Sequence, residues 1–233
     1  MAETIHQAGG TLYLVGGAVR DIILGNVPKD YDYCVTGLSM EEFQKIFPNA
    51  FLRGKDFPVF DVEGIEFALA RRERKMQLGH NGFIMETDKS LTIEDDLVRR
   101  DITINSIAIN VLTEERIDPF GGIQDIKNKV IRATSKAFSE DPLRVYRVAR
   151  FAAQLDFSVH EDTIDMMKSL KDELMTLSAE RVFTEFRKSL LSKYPTNFFN
   201  ALKACDCLEI HFEEIAQMIG IIQPVQYHPE GDV

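Results

Sequence analysis

The alternation of apolar and polar residues predicts strands and helices in turn over the first part of the chain. A β-rich run at Thr11 to Val15 leads into Gly16-Gly17, after which apolar residues from Ala18 to Leu24 recur at helical spacing. This pattern predicts a strand, a tight turn and a helix. The next predicted elements are a strand at Asp30 to Val35, a helix at Met40 to Phe47, and strands at Phe57 to Val62 and Ile65 to Ala70.

The pattern changes twice further along the chain. Residues Arg71 to Ser90 are charged, contain Gly79 and Gly82, and follow no clear period, which predicts a mobile loop. A short helix from Leu91 then leads to a second strand-rich stretch. The elements predicted after it are strands near Ser106 to Leu112 and Arg116 to Asp118, and helices from Asp141 and at His160 to Leu170, Ala179 to Leu191 and Asn197 to Ala204.

The change to a purely helical pattern falls near residues 133–140. Asp141 precedes Pro142, a typical helix start, because Asp accepts hydrogen bonds from free amides and Pro gives up an amide that has no partner there. We therefore expect an α+β fold: a mixed sheet flanked by helices in residues 1–135, followed by an all-helical region in residues 136–233.

The composition is that of a folded globular protein. The 233 residues are 45% hydrophobic and 27% charged, which excludes collagen-like, low-complexity and disordered classes. No run approaches the roughly 18 to 20 apolar residues of a membrane helix, and the N-terminus lacks the features of a signal peptide. We therefore expect a cytoplasmic protein without a membrane partner, and the oligomeric state stays open.

Three cysteines form no C-x-x-C pair and are expected to be small buried apolar residues: Cys34, Cys205 and Cys207.

The net charge of −10 conceals a basic centre. Residues 99–150 carry 10 basic and 7 acidic side chains, whereas residues 151–233 carry 7 and 14. A positive segment between acidic flanks is suited to binding phosphates, but variation in surface composition accounts for it equally well. Charge alone leaves both interpretations open.

Asp30 and Asp32 form the sharpest local feature of the sequence. Residues two apart on a strand project from the same face about 6.6 Å apart. Two carboxylates at that spacing can share a hard divalent cation such as Mg²⁺, which offsets their repulsion. An isolated D-x-D is more often a solvated strand edge, so its surroundings decide its meaning. Glu66 is a weaker candidate for a third carboxylate, since a glutamate at a strand edge is usually just solvated.

The glycine turn, Gly16 and Gly17, is a candidate phosphate-binding turn. Glycines let backbone amides approach a phosphate closely, the helix start adds a partial positive charge, and Arg20 follows one turn later. The alternative is a plain tight turn in which Arg20 pairs with Asp21 on the surface, and no Gly-Lys-Ser/Thr follows to make a P-loop. A phosphate-binding turn followed by two carboxylates on the next strand is typical of metal-dependent nucleotidyl transfer.

Three arginines recur at every third position of the helix expected after Asp141: Arg144, Arg147 and Arg150. Each lags the previous one by about 60°, which places them in a slanted stripe beside an apolar face. A solvated face with ion pairs explains such a stripe without any ligand. Acidic residues are scarce nearby in the sequence, which favours an anionic ligand.

These segments together resemble the class II CCA-adding enzymes, which are tRNA nucleotidyltransferases of the polymerase-beta-like superfamily, and the similar bacterial poly(A) polymerases. The resemblance covers nearly the whole chain, with its motifs in order. Two shorter matches, at Leu69 to Lys75 and Glu180 to Phe183, resemble the family's flexible loop and neck. The main matching segments are Gly16 to Asp21, Asp30 to Asp32, Arg99 to Asn105 and Glu140 to Phe151.

The resemblance implies a catalytic nucleotidyltransferase head in residues 1–135, followed by a helical neck and the start of a body in residues 136–233. It implies transfer of CMP and AMP from CTP and ATP to the 3′ end of tRNA, with release of pyrophosphate. It implies that Asp30 and Asp32 bind the catalytic Mg²⁺, with Glu66 in support. The nucleotide-binding residues implied are Gly17, Arg20, Arg100, Arg147 and Arg150, with Asp141 and Arg144 as the base-selecting pair.

The chemistry of Asp141 and Arg144 fits base selection. Cytosine and adenine each present an amine donor beside a ring-nitrogen acceptor, which a carboxylate and a guanidinium satisfy together. Uracil and guanine present an acceptor beside a ring N–H, which sets donor against donor and acceptor against acceptor. The alternative for Asp141 is a purely structural helix cap.

Members of the family usually continue well beyond the neck, into body and tail regions that hold the tRNA, and some carry a phosphohydrolase domain. This sequence stops at Val233, which implies either a fragment or a short form whose RNA grip is weak or borrowed. The alternatives in function are an enzyme that adds only A, only CC or poly(A), and a truncated nucleotide- or RNA-binding remnant without turnover.

Overall fold

The computed structural model describes residues 1–54, 58–75, 83–227 and 229. It divides into two units, Met1–Asp141 and Pro142–Val233. The first unit contains the main sheet and the second is mostly helical. The boundary expected between residues 135 and 136 lies a few residues before this division.

The strands fall mainly in the first unit. Seven of them form one sheet in the order β3-β4-β5-β2-β1-β8-β9, in which β2 and β5 are parallel and the other neighbours antiparallel, and β6 and β7 form a separate hairpin. The strands are β1 Thr11–Val15, β2 Asp32–Thr36, β3 Phe51–Arg53, β4 Val59–Val62, β5 Ile65–Leu69, β6 Arg71–Lys75, β7 Phe83–Thr87, β8 Ala108–Asn110, β9 Arg116–Ile117, β10 Val130–Ile131 and β11 Ser158–Val159.

Helices flank the sheet and make up most of the second unit. Short 3-10 helices at Thr103–Asn105, Lys136–Glu140 and Lys171–Thr176 connect some of them. None of the helices in the described ranges is long and apolar enough to span a membrane. The α-helices are α1 Ala2–Gln7, α2 Gly17–Ile23, α3 Met40–Ile46, α4 Ile93–Leu97, α5 Gly122–Asn128, α6 Leu143–Leu155, α7 Glu161–Ser169, α8 Ala179–Leu190, α9 Thr196–Ala204 and α10 Glu209–Met218.

Side-chain alternation along the strands separates two apolar clusters, one for each face of the sheet. On one face Val35 and Phe67 pack with Phe43 of α3. On the other face Cys34 packs with Leu97 of α4. Asp32 lies two residues before Cys34 on β2, so it belongs to the α4 face. The expected α+β fold, a mixed sheet flanked by helices and followed by a helical region, is confirmed.

The sequence placed the start of β2 too early. β2 begins at Asp32, and Asp30 lies in the bend that precedes it. The partner strand explains this start. Val15, the last residue of β1, pairs with Asp32, and the chain then turns at Gly16 into α2. Residues before Asp32 therefore have no β1 residue opposite them, and the prediction of a strand from Asp30 is wrong.

The loop expected from Arg71 to Ser90 is in part a hairpin. β6 and β7 pair antiparallel, with Arg71 opposite Thr87 and Lys75 opposite Phe83. Backbone hydrogen bonds define this pairing, and a run of charged residues gives no alternation to reveal it. The middle of the predicted loop, residues 76–82 with Gly79 and Gly82, lies outside the described residues.

The second unit has its own core around α6, which packs against α8 and α9. Tyr146 of α6 is fully buried, and its hydroxyl lies 2.6 Å from Nδ1 of His211 on α10. Rings of Phe186, Phe198 and Phe212 pack against one another in the same core.

The three cysteines, Cys34 in the first unit and Cys205 and Cys207 in the second, are free and buried, as the sequence predicted.

Candidate active site

The glycine turn joins β1 to α2 in a conformation that favours glycine. Gly16 has φ 73° and ψ −138°, a region that residues with a Cβ rarely adopt. A Cβ on Gly16 would lie 3.1 Å from Nη1 of Arg100 and 3.6 Å from Oδ2 of Asp32. The turn, a carboxylate and a guanidinium therefore meet at one point.

Gly17, the glycine predicted to bind nucleotide, has a different local setting. It is the first residue of α2, and a Cβ there would lie 3.5 Å from Nη2 of Arg20, an ordinary contact distance. The backbone conformation that favours glycine, and the short distances to Arg100 and Asp32, are both found at Gly16 and not at Gly17. The sequence analysis included Gly16 in the candidate phosphate-binding turn but named only Gly17 as a nucleotide-binding residue, whereas the geometry makes Gly16 the stronger candidate.

Three predicted carboxylates lie at or near the same end of the sheet. Tyr33 of β2 pairs with Phe67 of the parallel strand β5. Asp32 precedes Tyr33 and Glu66 precedes Phe67, so Asp32 and Glu66 occupy adjacent positions on the two strands. Asp30 precedes β2. All three side chains are exposed, and within the described residues none of their carboxylates makes a hydrogen bond or ion pair.

The structure does not assemble these carboxylates into a complete metal cage. Asp30 and Asp32 do not share one strand, so the predicted spacing of two residues along a strand is wrong for this pair. Among the residues the structure describes, no group of three His, Cys, Asp or Glu side chains is arranged to hold a metal ion. Asp32 is the carboxylate that lies against the glycine turn.

The side chains of Asn105 and Asp21 both bind Arg20. Its Nη1 donates to Oδ1 of Asn105 at 2.7 Å, and its Nε and Nη2 donate to Oδ1 of Asp21 at 3.0 and 2.8 Å. The surface pair with Asp21 exists, but the Arg20 side chain is only 12% exposed. Asn105 also donates to Oδ1 of Asp101 at 3.5 Å. The Arg99 to Asn105 motif therefore helps to orient Arg20.

Asp96 is the functional candidate that the sequence reasoning missed. It is fully buried in α4, and its two oxygens accept hydrogen bonds from Arg99 and Arg100. Burial raises the pKa of the Asp96 carboxyl, but the two guanidinium groups lower it more, so the pKa falls from 3.8 to about 2. The i, i+3 and i+4 spacing of Asp96, Arg99 and Arg100 was the available signal.

The low pKa of Asp96 predicts a loss of stability in acid. The Asp96 ion pairs contribute fully above its ordinary pKa of 3.8 and are lost as the pH falls toward 2. Asp96→Asn cannot titrate, so its deficit in unfolding free energy relative to wild type should shrink by about 1 kcal/mol between roughly pH 6 and pH 3. Urea unfolding at several pH values measures this deficit, and a deficit that stays constant would contradict the low pKa.

The Arg99 to Asn105 motif rests on a packed support. Thr103 donates from Oγ1 to Oδ2 of the buried Asp125 at 2.7 Å, and its amide donates to the Arg132 carbonyl at 2.9 Å. A Cβ on Gly122 would lie only 2.2 Å from the Thr103 carbonyl oxygen. Helix α5 therefore packs directly on the motif and fixes its backbone.

The arginines of α6 lie in the second unit. Arg144 is buried in the first turn, and Arg147 is half-buried. Arg150 is buried and donates to Glu185 of α8 and to Oε1 of Gln154, with its guanidinium 4.0 Å from the Phe151 ring centre. The scarcity of acidic residues near these arginines in the sequence does not extend to the fold, because Glu185, the partner of Arg150, comes from 35 residues away.

Asp141 is the last residue of the first unit, with an extended backbone at φ −125° and ψ 110°. Pro142 follows, and α6 begins at Leu143. Pro142 therefore occupies the N-cap position of α6 and Asp141 the position before it, so the expected helix start, with Asp141 as the cap and Pro142 as the first helical residue, is one residue too early.

The chain matches known protein families and curated proteins over most of its length. The family described as Poly A polymerase head domain matches residues 12–132, and one described as Probable RNA and SrmB- binding site of polymerase A matches residues 156–219. The chain is 44% identical over 233 residues to the Multifunctional CCA protein of Haemophilus ducreyi, an alignment that covers 95% of this chain and 55% of that protein. The chain spans about half the length of the curated relatives it matches.

Solved structures agree with the sequence relatives. The crystal structure of Bacillus stearothermophilus CCA-adding enzyme in complex with CTP is 30% identical with a TM-score of 0.72, covering 86% of this chain and 49% of that one. A tRNA nucleotidyltransferase complexed with a primer tRNA and an incoming ATP analog is 28% identical, also with a TM-score of 0.72, covering 98% and 65%. The chain therefore belongs to the nucleotidyltransferase family that contains the class II CCA-adding enzymes and the bacterial poly(A) polymerases.

Proposed function

We propose that this chain carries the catalytic part of a CCA-adding tRNA nucleotidyltransferase. The reaction transfers CMP and AMP from CTP and ATP to the 3′ hydroxyl of tRNA, releases pyrophosphate and uses no nucleic-acid template. The observation that carries the proposal is the convergence of the Asp32 carboxylate and the Arg100 guanidinium at the turn-forming Gly16. We place the reaction in the cytoplasm, because the sequence has no predicted membrane helix or signal peptide.

The carboxylates suit a hard divalent cation, for which we propose Mg²⁺. Asp30 and Asp32 would hold it, with Glu66 in support, because their exposed carboxylates have no internal partner in the described part of the chain. Mg²⁺ usually takes one or two carboxylates together with phosphate oxygens of the substrate, so a complete protein cage is not required. The bound ion would lower the pKa of the attacking hydroxyl and neutralise charge on the leaving pyrophosphate.

The glycine turn and two arginines form the proposed triphosphate site. Gly16 lets the backbone approach a phosphate, and Gly17 opens α2, whose first amides lack partners within the helix. Arg100 presents Nη1 at this turn, and Arg20 is positioned by Asn105. These groups bind and orient the triphosphate, so that its α-phosphorus faces the carboxylates.

Residues at the start of α6 supply the proposed base selection. The Asp141 carboxylate accepts from the exocyclic amine of cytosine or adenine, and Arg144 donates to the adjacent ring nitrogen. Arg147 and Arg150 complete the proposed nucleotide-binding set. The Arg150 guanidinium is already paired with Glu185, so its role would include holding the helix that carries Arg144.

A gel assay with labelled CTP and ATP tests the proposed function. The substrate is tRNA that lacks its terminal CCA, and each nucleotide is supplied alone and together with the other. Addition of two C residues followed by one A supports the proposal. Addition of A alone, of C alone or of a long A tract identifies one of the partial or poly(A)-adding alternatives. Binding of CTP and ATP without incorporation identifies a non-catalytic remnant and overturns the proposal.

A further inference from the structure

Arg100 is hydrogen-bonded to the buried Asp96 and also lies next to the glycine turn. Its Nε and Nη2 donate to one oxygen of Asp96, Oδ2, at 3.2 and 2.8 Å. This side-on contact uses one edge of the planar guanidinium, whose two N–H groups share a single acceptor oxygen. The remaining nitrogen, Nη1, makes no hydrogen bond within the described residues and lies next to Gly16.

The Asp32 carboxylate and Arg100 approach each other without pairing. Arg100 Nη1 and Asp32 Oδ2 both lie within 4 Å of the point where a Gly16 side chain would begin. These two groups of opposite charge form no ion pair with each other. Arg100 therefore pairs with the buried Asp96 and not with the exposed Asp32, although both carboxylates lie near its guanidinium.

We propose that Asp96 is a positioning residue for nucleotide binding, which fixes Arg100 so that its free edge contacts a triphosphate oxygen at the glycine turn. The inference rests on the proposed function and deepens it, because Asp96 itself stays buried and touches no substrate. The complete burial of this carboxylate restricts Arg100 to one position.

Arg99 supplies a matched control. It donates to the other oxygen of Asp96, Oδ1, so its loss also removes a partner from the same buried carboxylate. Arg99→Ala and Asp96→Asn both weaken the same ion-pair cluster. The mutation at Arg99 leaves the contact between Asp96 and Arg100 intact. The two variants therefore distinguish a structural role of Asp96 from a role in positioning Arg100.

The test measures equilibrium binding of CTP and ATP and the KM for each, in the full chain. Asp96→Asn is expected to weaken CTP binding about tenfold and to raise its KM more than it lowers kcat, because a released Arg100 no longer points at the triphosphate. Arg99→Ala should keep wild-type CTP affinity while losing thermal stability. Nucleotide affinity unchanged in Asp96→Asn, or equally reduced in Arg99→Ala, would overturn the inference.

Chemical rescue covers the case in which Asp96→Asn does not fold. Arg100→Ala keeps Asp96 paired to Arg99 and leaves an open position beside it. Added guanidinium ion, which can reproduce the two hydrogen bonds to Asp96 Oδ2, should restore CTP affinity several-fold, and ammonium ion should not. Equal rescue by both ions would contradict the positioning role. A wild-type chain that binds neither nucleotide overturns the proposed function as well, whereas wild-type binding that Asp96→Asn leaves unchanged overturns only this inference.

Discussion

Replacement of Asp32 by Ala is expected to lower nucleotide incorporation into tRNA about a thousandfold or more, while the protein stays folded. Asp32 is the carboxylate that lies against the glycine turn and Arg100. Its removal takes away a proposed ligand of the catalytic cation. The exposed carboxylate has no internal partner among the described residues, so the melting temperature should change little. Incorporation assays and thermal melting measure the two effects.

Variants of three other carboxylates provide comparisons and a control for this prediction. Asp30→Ala should abolish incorporation in the same way, and Glu66→Ala should leave measurable activity, since its proposed role is supporting. Glu115 is an exposed carboxylate in the turn between β8 and β9, and Glu115→Ala should retain wild-type activity. Undiminished incorporation by Asp32→Ala, or an equal loss in Glu115→Ala, would end the catalytic assignment.

Asp141→Asn is expected to let UTP compete with CTP in the incorporation assay. The Asn amide still accepts a hydrogen bond through its oxygen but can also rotate to donate, which matches the acceptor on the pairing edge of uracil. Arg144→Ala should raise misincorporation of UTP and GTP relative to CTP and ATP as the overall rate falls. Competition between labelled nucleotides at equal concentration measures both preferences.

The helix-cap interpretation of Asp141 predicts a different outcome. Asn caps a helix about as well as Asp, so stability and selectivity would both stay close to wild type. A wild-type preference for CTP over UTP in Asp141→Asn would leave Asp141 as a cap only. Thermal melting of the same variant separates a loss of selectivity from a loss of structure.

Local patterns predicted most of the elements that position the site. The run from Thr11 to Val15 is β1, and the glycines after it mark the turn into α2. These elements are set by side-chain alternation and by glycine conformation, which a single sequence displays. The start of β2 was misplaced because it depends on where its partner β1 ends, at the pair of Val15 and Asp32.

Contacts between distant segments were the part that the sequence did not reveal. The sequence did not indicate Glu185 as the partner of Arg150, because this ion pair depends on the packing of α8 against α6. Asp96 lies close to Arg100 in the sequence, but its full burial results from tertiary packing. Charge spacing therefore indicated candidate site residues, and only the fold showed which side chains are paired with which.

Binding of Mn²⁺, as a probe for the divalent cation, tests the central claim most directly. Electron paramagnetic resonance can count free and bound Mn²⁺ with wild type, Asp32→Ala and Glu115→Ala, with and without CTP. The account predicts that wild type and Glu115→Ala bind Mn²⁺ with CTP, and that Asp32→Ala binds it at least about tenfold more weakly. Equal Mn²⁺ affinity in wild type and Asp32→Ala in the presence of CTP would contradict the assignment of the metal and nucleotide site to this end of the sheet.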